Sequence, residues 1–373
     1  MDVKLRPHQA RFIDDNLDKA LLCWEMRVGK SWPAAIWAER RNSNAIVVCP
    51  KQLIADWKKL TPFATVYSKE QFKKNWKEIT LPSCLVVDEA HTFGSALFTK
   101  KRSQLATAMY SFIKANPDLP TLLLSATPIR NDPSSLHTLL CYIGKYIPWD
   151  KFRAEFYELT RMPFLRFPAY FPRHDWRLKA RSLLEKHADI VSLRDCVEYL
   201  PKVTTEVLTA KIPKYNRPED EIVTWTDEHK HEQQGKAEQI KRLGFRKIII
   251  SCKYTAQIDE LAKQLSGDRQ VFILDGRTKD SAKVKQDAQE ADECYLICES
   301  SMGVGFEGWM FGALVFASLS HTALSHTQMC GRITSVDHSN PHFIYYLING
   351  RWDRRIHESI IKNEDFNPHK FND

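Results

Sequence analysis

The sequence predicts an α/β chain of two lobes, each built on a mainly parallel sheet. The first observation is a set of short apolar runs, rich in Val, Ile and Leu and bounded by polar residues, that alternate with amphipathic stretches. Runs apolar at every position suit strands buried on both faces, and the amphipathic stretches suit crossover helices between parallel strands. The second observation is that the runs form two sets. Ala20–Trp24, Ala45–Cys49, Cys84–Val87 and Thr121–Leu124 make the first; Lys247–Ser251, Gln270–Leu274, Cys294–Cys298, Ala313–Phe316 and Phe343–Leu347 make the second. The third is a change of character between them. Tyr146–Arg181 is dense in aromatics and arginine, and Ile212–Asp227 carries Pro213, Pro218 and several charges without a helical period.

These shifts divide the chain into a first lobe over 1–211, with an accessory segment at about 146–181, a linker over 212–227 and a second lobe over 228–373. A length of 373 residues accommodates two domains at roughly 100–200 residues each. With 43% hydrophobic and 27% charged residues, the composition is that of a globular chain able to bury a core without staples. The net charge of +8 favours a polyanionic partner. Nine cysteines, several inside apolar runs, read as free thiols in a reducing compartment. Cys294 and Cys298 have CxxxC spacing, but no second pair stands nearby to complete a zinc site. The N-terminus MDVKLRPHQ has no apolar run, and no stretch of about 18 apolar residues occurs. The expectation is a cytoplasmic monomer without a membrane span.

Taken in chain order, the first lobe opens its chemistry at ALLCWEMRVGKSWPAA, which runs from strand to loop to helix. Loops of this kind wrap phosphates in backbone N–H groups and aim a helix N-terminus at them. Lys30 supplies a point charge for the β- and γ-phosphates, and the Ser31 hydroxyl suits Mg²⁺. Pro33 falls in the first helical turn, where a missing N–H costs little. Downstream, SCLVVDEAH is an apolar strand ending in two carboxylates. At that strand end Asp88 suits Mg²⁺ and Glu89 suits activation of an attacking water.

With these two boxes the chain resembles superfamily-two helicases, and more closely the Swi/Snf-type DNA translocases, in a compact phage- or bacterial-like form. The resemblance runs in order over nearly the whole length. Leu5-Arg6-Pro7-His8-Gln9 is similar to the opening motif, in which the glutamine reads adenine; Arg6, Gln9 and Gly29 then join the nucleotide site. IVVCPKQLIADWKK resembles the motif whose Pro50-Lys51 turn touches the nucleic-acid backbone. Ser125-Ala126-Thr127-Pro128 is similar to the coupling motif, with His91 as its partner in the acid box. Ser125 and Thr127 equally suit helix caps.

LLEKHADIVSLRDCVEYLPKVTTEV, with Leu200-Pro201-Lys202, resembles the run that closes the first lobe in Swi/Snf-type enzymes. In the second lobe KIIISCKYTAQIDELAKQL and LDGRT imply nucleic-acid contacts at Ser251, Lys253, Arg277 and Thr278. SSMGVGFEGWMF resembles motif five, with Gly303 and Gly305, the latter at the nucleotide. HTQMCGRITS resembles motif six, with Gln328, Gly331 and the finger Arg332.

The resemblance implies two RecA-like lobes flanking an ATP cleft, with ATP and Mg²⁺ as cofactors. It implies an ATP-dependent DNA translocase or helicase acting on duplex, forked or branched DNA in replication, recombination or repair. Four positions depart from the pattern. Trp24 stands where the loop usually begins with a small or acidic residue, Arg27 where a glycine is usual, and Ser335 where motif six has a second arginine; motif five lacks an acidic residue before its second glycine. Arg351, Arg354 or Arg355 is a candidate to stand in for that arginine, a choice the spacing leaves open. Two alternatives stay open: a nucleotide-gated DNA-binding scaffold with weak ATPase activity, and an RNA helicase. In the accessory segment, Phe164, Phe167, Tyr170, Phe171 and Trp176 either stack on bases, with Arg166 and Arg173 on phosphates, or pack the element onto the first lobe.

Overall fold

Strands β1 (Lys19–Trp24), β2 (Ala45–Cys49), β3 (Thr65–Ser68), β4 (Cys84–Val87) and β5 (Thr121–Leu124) begin a computed structural model of the chain. They are followed by β6 (Tyr157–Thr160), β7 (Ala169–Pro172), β8 (Asp189–Val191) and β9 (Val203–Leu208). The remaining strands are β10 (Lys247–Cys252), β11 (Gln270–Leu274), β12 (Cys294–Glu299), β13 (Ala313–Phe316) and β14 (His342–Leu347). The structure describes residues 5–41, 44–95, 103–129, 132–161, 168–196, 202–209, 227–300, 308–333 and 341–362.

The fold is α/β, with two six-stranded sheets in which every pairing is parallel, as in RecA-like lobes. The first sheet has the order β3-β2-β4-β5-β1-β8 and the second β11-β12-β10-β13-β14-β9. The chain divides into two compact units, Met1–Glu198 and Tyr199–Asp373. All nine predicted apolar runs are strands, five of them, Ala45–Cys49, Cys84–Val87, Thr121–Leu124, Gln270–Leu274 and Ala313–Phe316, to the residue.

Burial explains why those runs were visible. In the first sheet Leu21, Cys23, Ile46, Val48, Leu85, Val87 and Leu123 face one core. Their alternates Ala20, Leu22, Trp24, Ala45, Val47, Cys49, Cys84, Val86, Leu122 and Leu124 face another. The second sheet repeats this, with Leu296, Leu314 and Ile344 on one side and Ile297, Val315 and Tyr345 on the other. Two-sided burial removes the need for polar alternation and is the dominant driving force, at about 25 cal/mol per Å² of apolar surface.

Strands without such runs were not predicted. β3, β8 and β9 are edge strands, and β9 is largely exposed at Val203 and Val207. β9 also moves the expected boundary. Residues through 211 were assigned to the first lobe, yet Val203–Leu208 pairs with β14 in the second sheet. An edge strand with one covered side carries a mixed sequence, so VTTEVL has no signature of the sheet it joins. Leu200 and Pro201, the landmark of the family-like run, lie outside the described residues.

The accessory segment is a helix Trp149–Phe156, an antiparallel hairpin of β6 and β7, and a helix Trp176–His187. Phe152, Phe156, Tyr157 and Trp176 belong to the first unit's core, so Trp176 packs. Tyr170 is half exposed, with the Arg153 guanidinium 4.8 Å from its ring centre. Phe164, Arg166 and Phe167 lie outside the described residues. Cys294 and Cys298 are buried on β12. Among the described residues no helix is long and apolar enough to cross a membrane.

In the second unit a charged pair is sealed in the core. Lys236, fully buried, lies 2.8 Å from Glu232 Oε1 and donates also to the Ala317 carbonyl at the end of β13. Removing one partner of such a pair strands the other charge in a dry site. Lys236→Met is therefore expected to lower the unfolding free energy by about 3–5 kcal/mol in a denaturant titration, with Glu232→Gln added to it recovering part of the loss.

Candidate functional site

Parallel strands bring all their C-terminal ends to one edge of a sheet, and loops at that edge gather residues distant in sequence. In the first unit the Lys30 loop follows β1, Pro50-Lys51 follows β2, Asp88-Glu89 follows β4 and Ser125–Thr127 follows β5. The order β4-β5-β1 sets Asp88 and the Lys30 loop two strand spacings apart, about 10 Å, with Ser125 between them.

The loop after β1 is anchored at both ends. Trp24 is fully buried, edge-on to His8 and Phe12, so it closes the strand inside the core rather than opening the loop. Glu25 N–H donates to the Val191 carbonyl, and its carboxylate accepts from Leu193 N–H. Arg27 has a left-handed backbone, φ 67°, a region that favours glycine. Gly29, at φ 84°, needs its missing side chain: a Cβ would stand 2.6 Å from the Gln9 amide nitrogen. Lys30 precedes the helix Ser31–Glu39, and its ammonium donates to the carbonyls of Trp24 (2.8 Å) and Glu25 (3.0 Å). Ser31 is exposed at the first position of that helix.

Gln9 is brought to the loop by the helix Pro7–Asp15, started by Pro7 at its first position. Arg6 N–H donates to Gln9 Oε1 at 2.8 Å, which turns the amide nitrogen onto the Gly29 carbonyl at 2.9 Å. The two predicted nucleotide-side elements, 20 residues apart, thus meet through one amide.

Asp88 is nearly buried, its N–H bonded to the Val48 carbonyl. Oδ1 accepts from Glu89 N–H at 2.8 Å, and Oδ2 accepts from the Trp57 indole N–H at 2.9 Å. Glu89 has φ 50° and ψ 48°, a left-handed backbone that costs a non-glycine residue about 1 kcal/mol or more. His91, 2% exposed, sets Nδ1 3.2 Å from Glu89 Oε2 and 3.1 Å from Ser125 Oγ. Ser125 Oγ in turn accepts from Thr127 N–H at 3.2 Å. The residues expected to couple, His91, Ser125 and Thr127, therefore form one connected path from the acid box to the loop after β5. Pro50 is buried and Lys51 exposed at the head of a short 3₁₀ turn.

Two residues at this edge escaped the sequence reading. Trp57 is one, and its only signal was a place seven residues beyond Pro50. Lys69 is the other. It opens the helix Lys69–Asn75 directly after β3, capped by Ser68. Burial lowers its pKa, while the neighbouring carboxylates of Glu89 and Asp88 oppose that shift. A lysine after an edge strand carries no motif.

In the second unit Lys253 follows β10, Asp275–Thr278 follow β11, and the helix Ala323–Ile333 follows β13. Gln328 and Arg332, one turn apart, share a face of that helix, and the Arg332 carbonyl accepts from Gly308 N–H. Lys253 N–H donates to Ser318 Oγ, and its ammonium lies 3.3 Å from His321 Nε2. Two expected nucleic-acid contacts are engaged within the protein. Ser251 is fully buried at the end of β10. The Arg277 guanidinium bonds both carboxylate oxygens of Asp259 and Oδ2 of Asp275, which raises its pKa further. Thr278 Oγ1 accepts from Asp275 N–H and so closes the same turn. Gly303, Gly305 and Ser335 lie outside the described residues.

No family model matches the chain, and no curated protein matches it. Among solved structures the chain is similar to the Sulfolobus solfataricus SWI2/SNF2 ATPase core in complex with dsDNA. The TM-score is 0.44 and the identity 11%, over 97% of this chain and 92% of that one.

Gly29→Ala is expected to cost about 1–2 kcal/mol of unfolding free energy, because it puts a Cβ at a left-handed position against Gln9. A denaturant midpoint equal to that of the unmodified chain would refute this. His326, on the Gln328–Arg332 helix, lies 2.6 Å from the Tyr346 hydroxyl, and burial pushes its pKa down to about 4. The unfolded chain therefore binds this proton first. The stabilisation is complete above pH 6.5 and is lost as pH falls from 6.5 towards 4, by about 3 kcal/mol in total. His326→Asn should flatten the fall of the melting temperature across that window.

Proposed function

We propose that the chain is a DNA-dependent ATPase that uses hydrolysis to translocate along DNA and remodel duplex, forked or branched substrates. The observation that carries this reading is the approach, at one sheet edge, of His91 Nδ1 to both Glu89 Oε2 and Ser125 Oγ, with Ser125 Oγ also accepting from Thr127 N–H. Such an arrangement links an acid pair beside a phosphate loop to a second loop, which is what coupling hydrolysis to movement requires. The basic balance of +8 and the ordered motifs support a nucleic-acid partner.

The donor set fits ATP with Mg²⁺: an exposed Ser31 hydroxyl at a helix start, a lysine ammonium, a loop shaped at Gly29, and two carboxylates two strands away. In this reading Ser31 and Asp88 would hold Mg²⁺, which when bound would supply neutralisation of phosphate charge. Lys30 exchanges its two carbonyl partners for phosphate oxygens. Glu89 orients and deprotonates the attacking water, with His91 steadying its carboxylate. Gln9 reads adenine, aided by Arg6; in the second unit Gly305 and Gln328 are the nucleotide-binding residues of this reading and Arg332 its arginine finger. Pro50, Lys51, Lys253 and Thr278 track the DNA backbone, so binding is salt-sensitive. Forked or branched DNA in replication, recombination or repair is the proposed setting.

Phosphate release stimulated by duplex or branched DNA is the expected activity, and Lys30→Ala or Glu89→Gln should each lower it by at least about 100-fold. Full turnover in either variant sinks the reading. Nucleotide and DNA binding with turnover at background would instead identify a nucleotide-gated scaffold, and preferential stimulation by RNA of equal length an RNA helicase.

A further inference from the structure

The Asp88 carboxylate is held at both oxygens, and one of its two donors lies outside every expected motif role. Trp57 is 2% exposed, and its indole N–H points at Oδ2 from 2.9 Å. The other oxygen is held by the backbone N–H of Glu89, and the Asp88 backbone is itself pinned to β2 through Val48. With two N–H donors in fixed directions, the carboxylate has one orientation, and its remaining lone pairs point away from both donors.

The indole is not free to follow the carboxylate. It is packed in the core on the β1–β2–β4 side with Val47, Cys49 and Val86. The Trp57 backbone carbonyl accepts from both the N–H and the hydroxyl of Thr61 at 2.7 Å. The helix that carries it, Ile54–Leu60, continues directly from the 3₁₀ turn at Lys51–Leu53. A large rigid side chain anchored this way acts as a template for the acid. An indole N–H is donor only, so it can meet the carboxylate oxygen in one way, as the donor.

We propose that Trp57 is a positioning residue for the divalent cation: its indole N–H fixes the Asp88 carboxylate in the orientation that receives Mg²⁺. This rests on the reading of Asp88 as the metal carboxylate. Donors that orient a metal-binding carboxylate are typically worth about 10–100-fold in affinity.

The test is an electron paramagnetic resonance titration of Mn²⁺ into the full chain with the β,γ-imido analogue of ATP. Trp57→Phe, which keeps an aromatic ring and removes the N–H, should weaken Mn²⁺ about tenfold or more. Replacement of the same indole by benzothiophene, which exchanges the N–H for sulfur at nearly constant shape, should do the same without lowering the melting temperature. Unchanged Mn²⁺ affinity in the benzothiophene protein overturns the proposal, whatever Trp57→Phe does to folding. Asp88→Asn separates the two ideas. If it leaves Mn²⁺ affinity intact, the metal role of Asp88 falls and takes the proposal with it. If it abolishes binding while both Trp57 proteins bind normally, only the role of Trp57 falls.

Discussion

The all-parallel register of the two sheets is the constraint on which the rest depends. It forces each strand to be followed by a crossover and gathers every strand's C-terminal end at one edge. In the first unit five of the six segments that leave at that edge carry a residue with chemistry: Lys30, Lys51, Lys69, Asp88 and Ser125. None is near another in sequence. Burial of the strands on both faces holds the edge still, so the side chains there are positioned by the core beneath rather than by their own loops.

Local strain marks where that edge departs from ordinary loops. Arg27, Gly29 and Glu89 all take left-handed backbones, and two of the three are not glycine. Surrounding contacts compensate. Glu25 is tied to the end of β8, Gly29 to Gln9, and the Glu89 N–H to its neighbour's carboxylate. The apparent departures at Trp24 and Arg27 are explained in the same terms. Trp24 belongs to the core, and Arg27 keeps the backbone shape that glycine usually provides.

The two units differ in how their functional residues are engaged. In the first, the expected residues bond to one another along a path. In the second, several are bonded to residues outside the expected set: Arg277 to two carboxylates, Lys253 beside His321, and Ser251 within the core.

The sequence by itself determined the two-sheet α/β architecture and nine of the strands, and it marked the candidate phosphate loop and acid box. Two-sided burial writes a contiguous apolar run, and a site loop must present particular atoms at particular spacings, so both leave local marks. Only the tertiary structure decided the sheet joined by β9, the core place of Trp176, the contact of Trp57 with Asp88, and the placing of Lys69 within the field of the acid box. An edge strand buries one side only, and its sequence does not specify a neighbour. A tryptophan 31 residues from its carboxylate reads as core until parallel pairing sets their strands side by side. Pairing between strands distant in sequence creates those neighbours, and no local pattern records it.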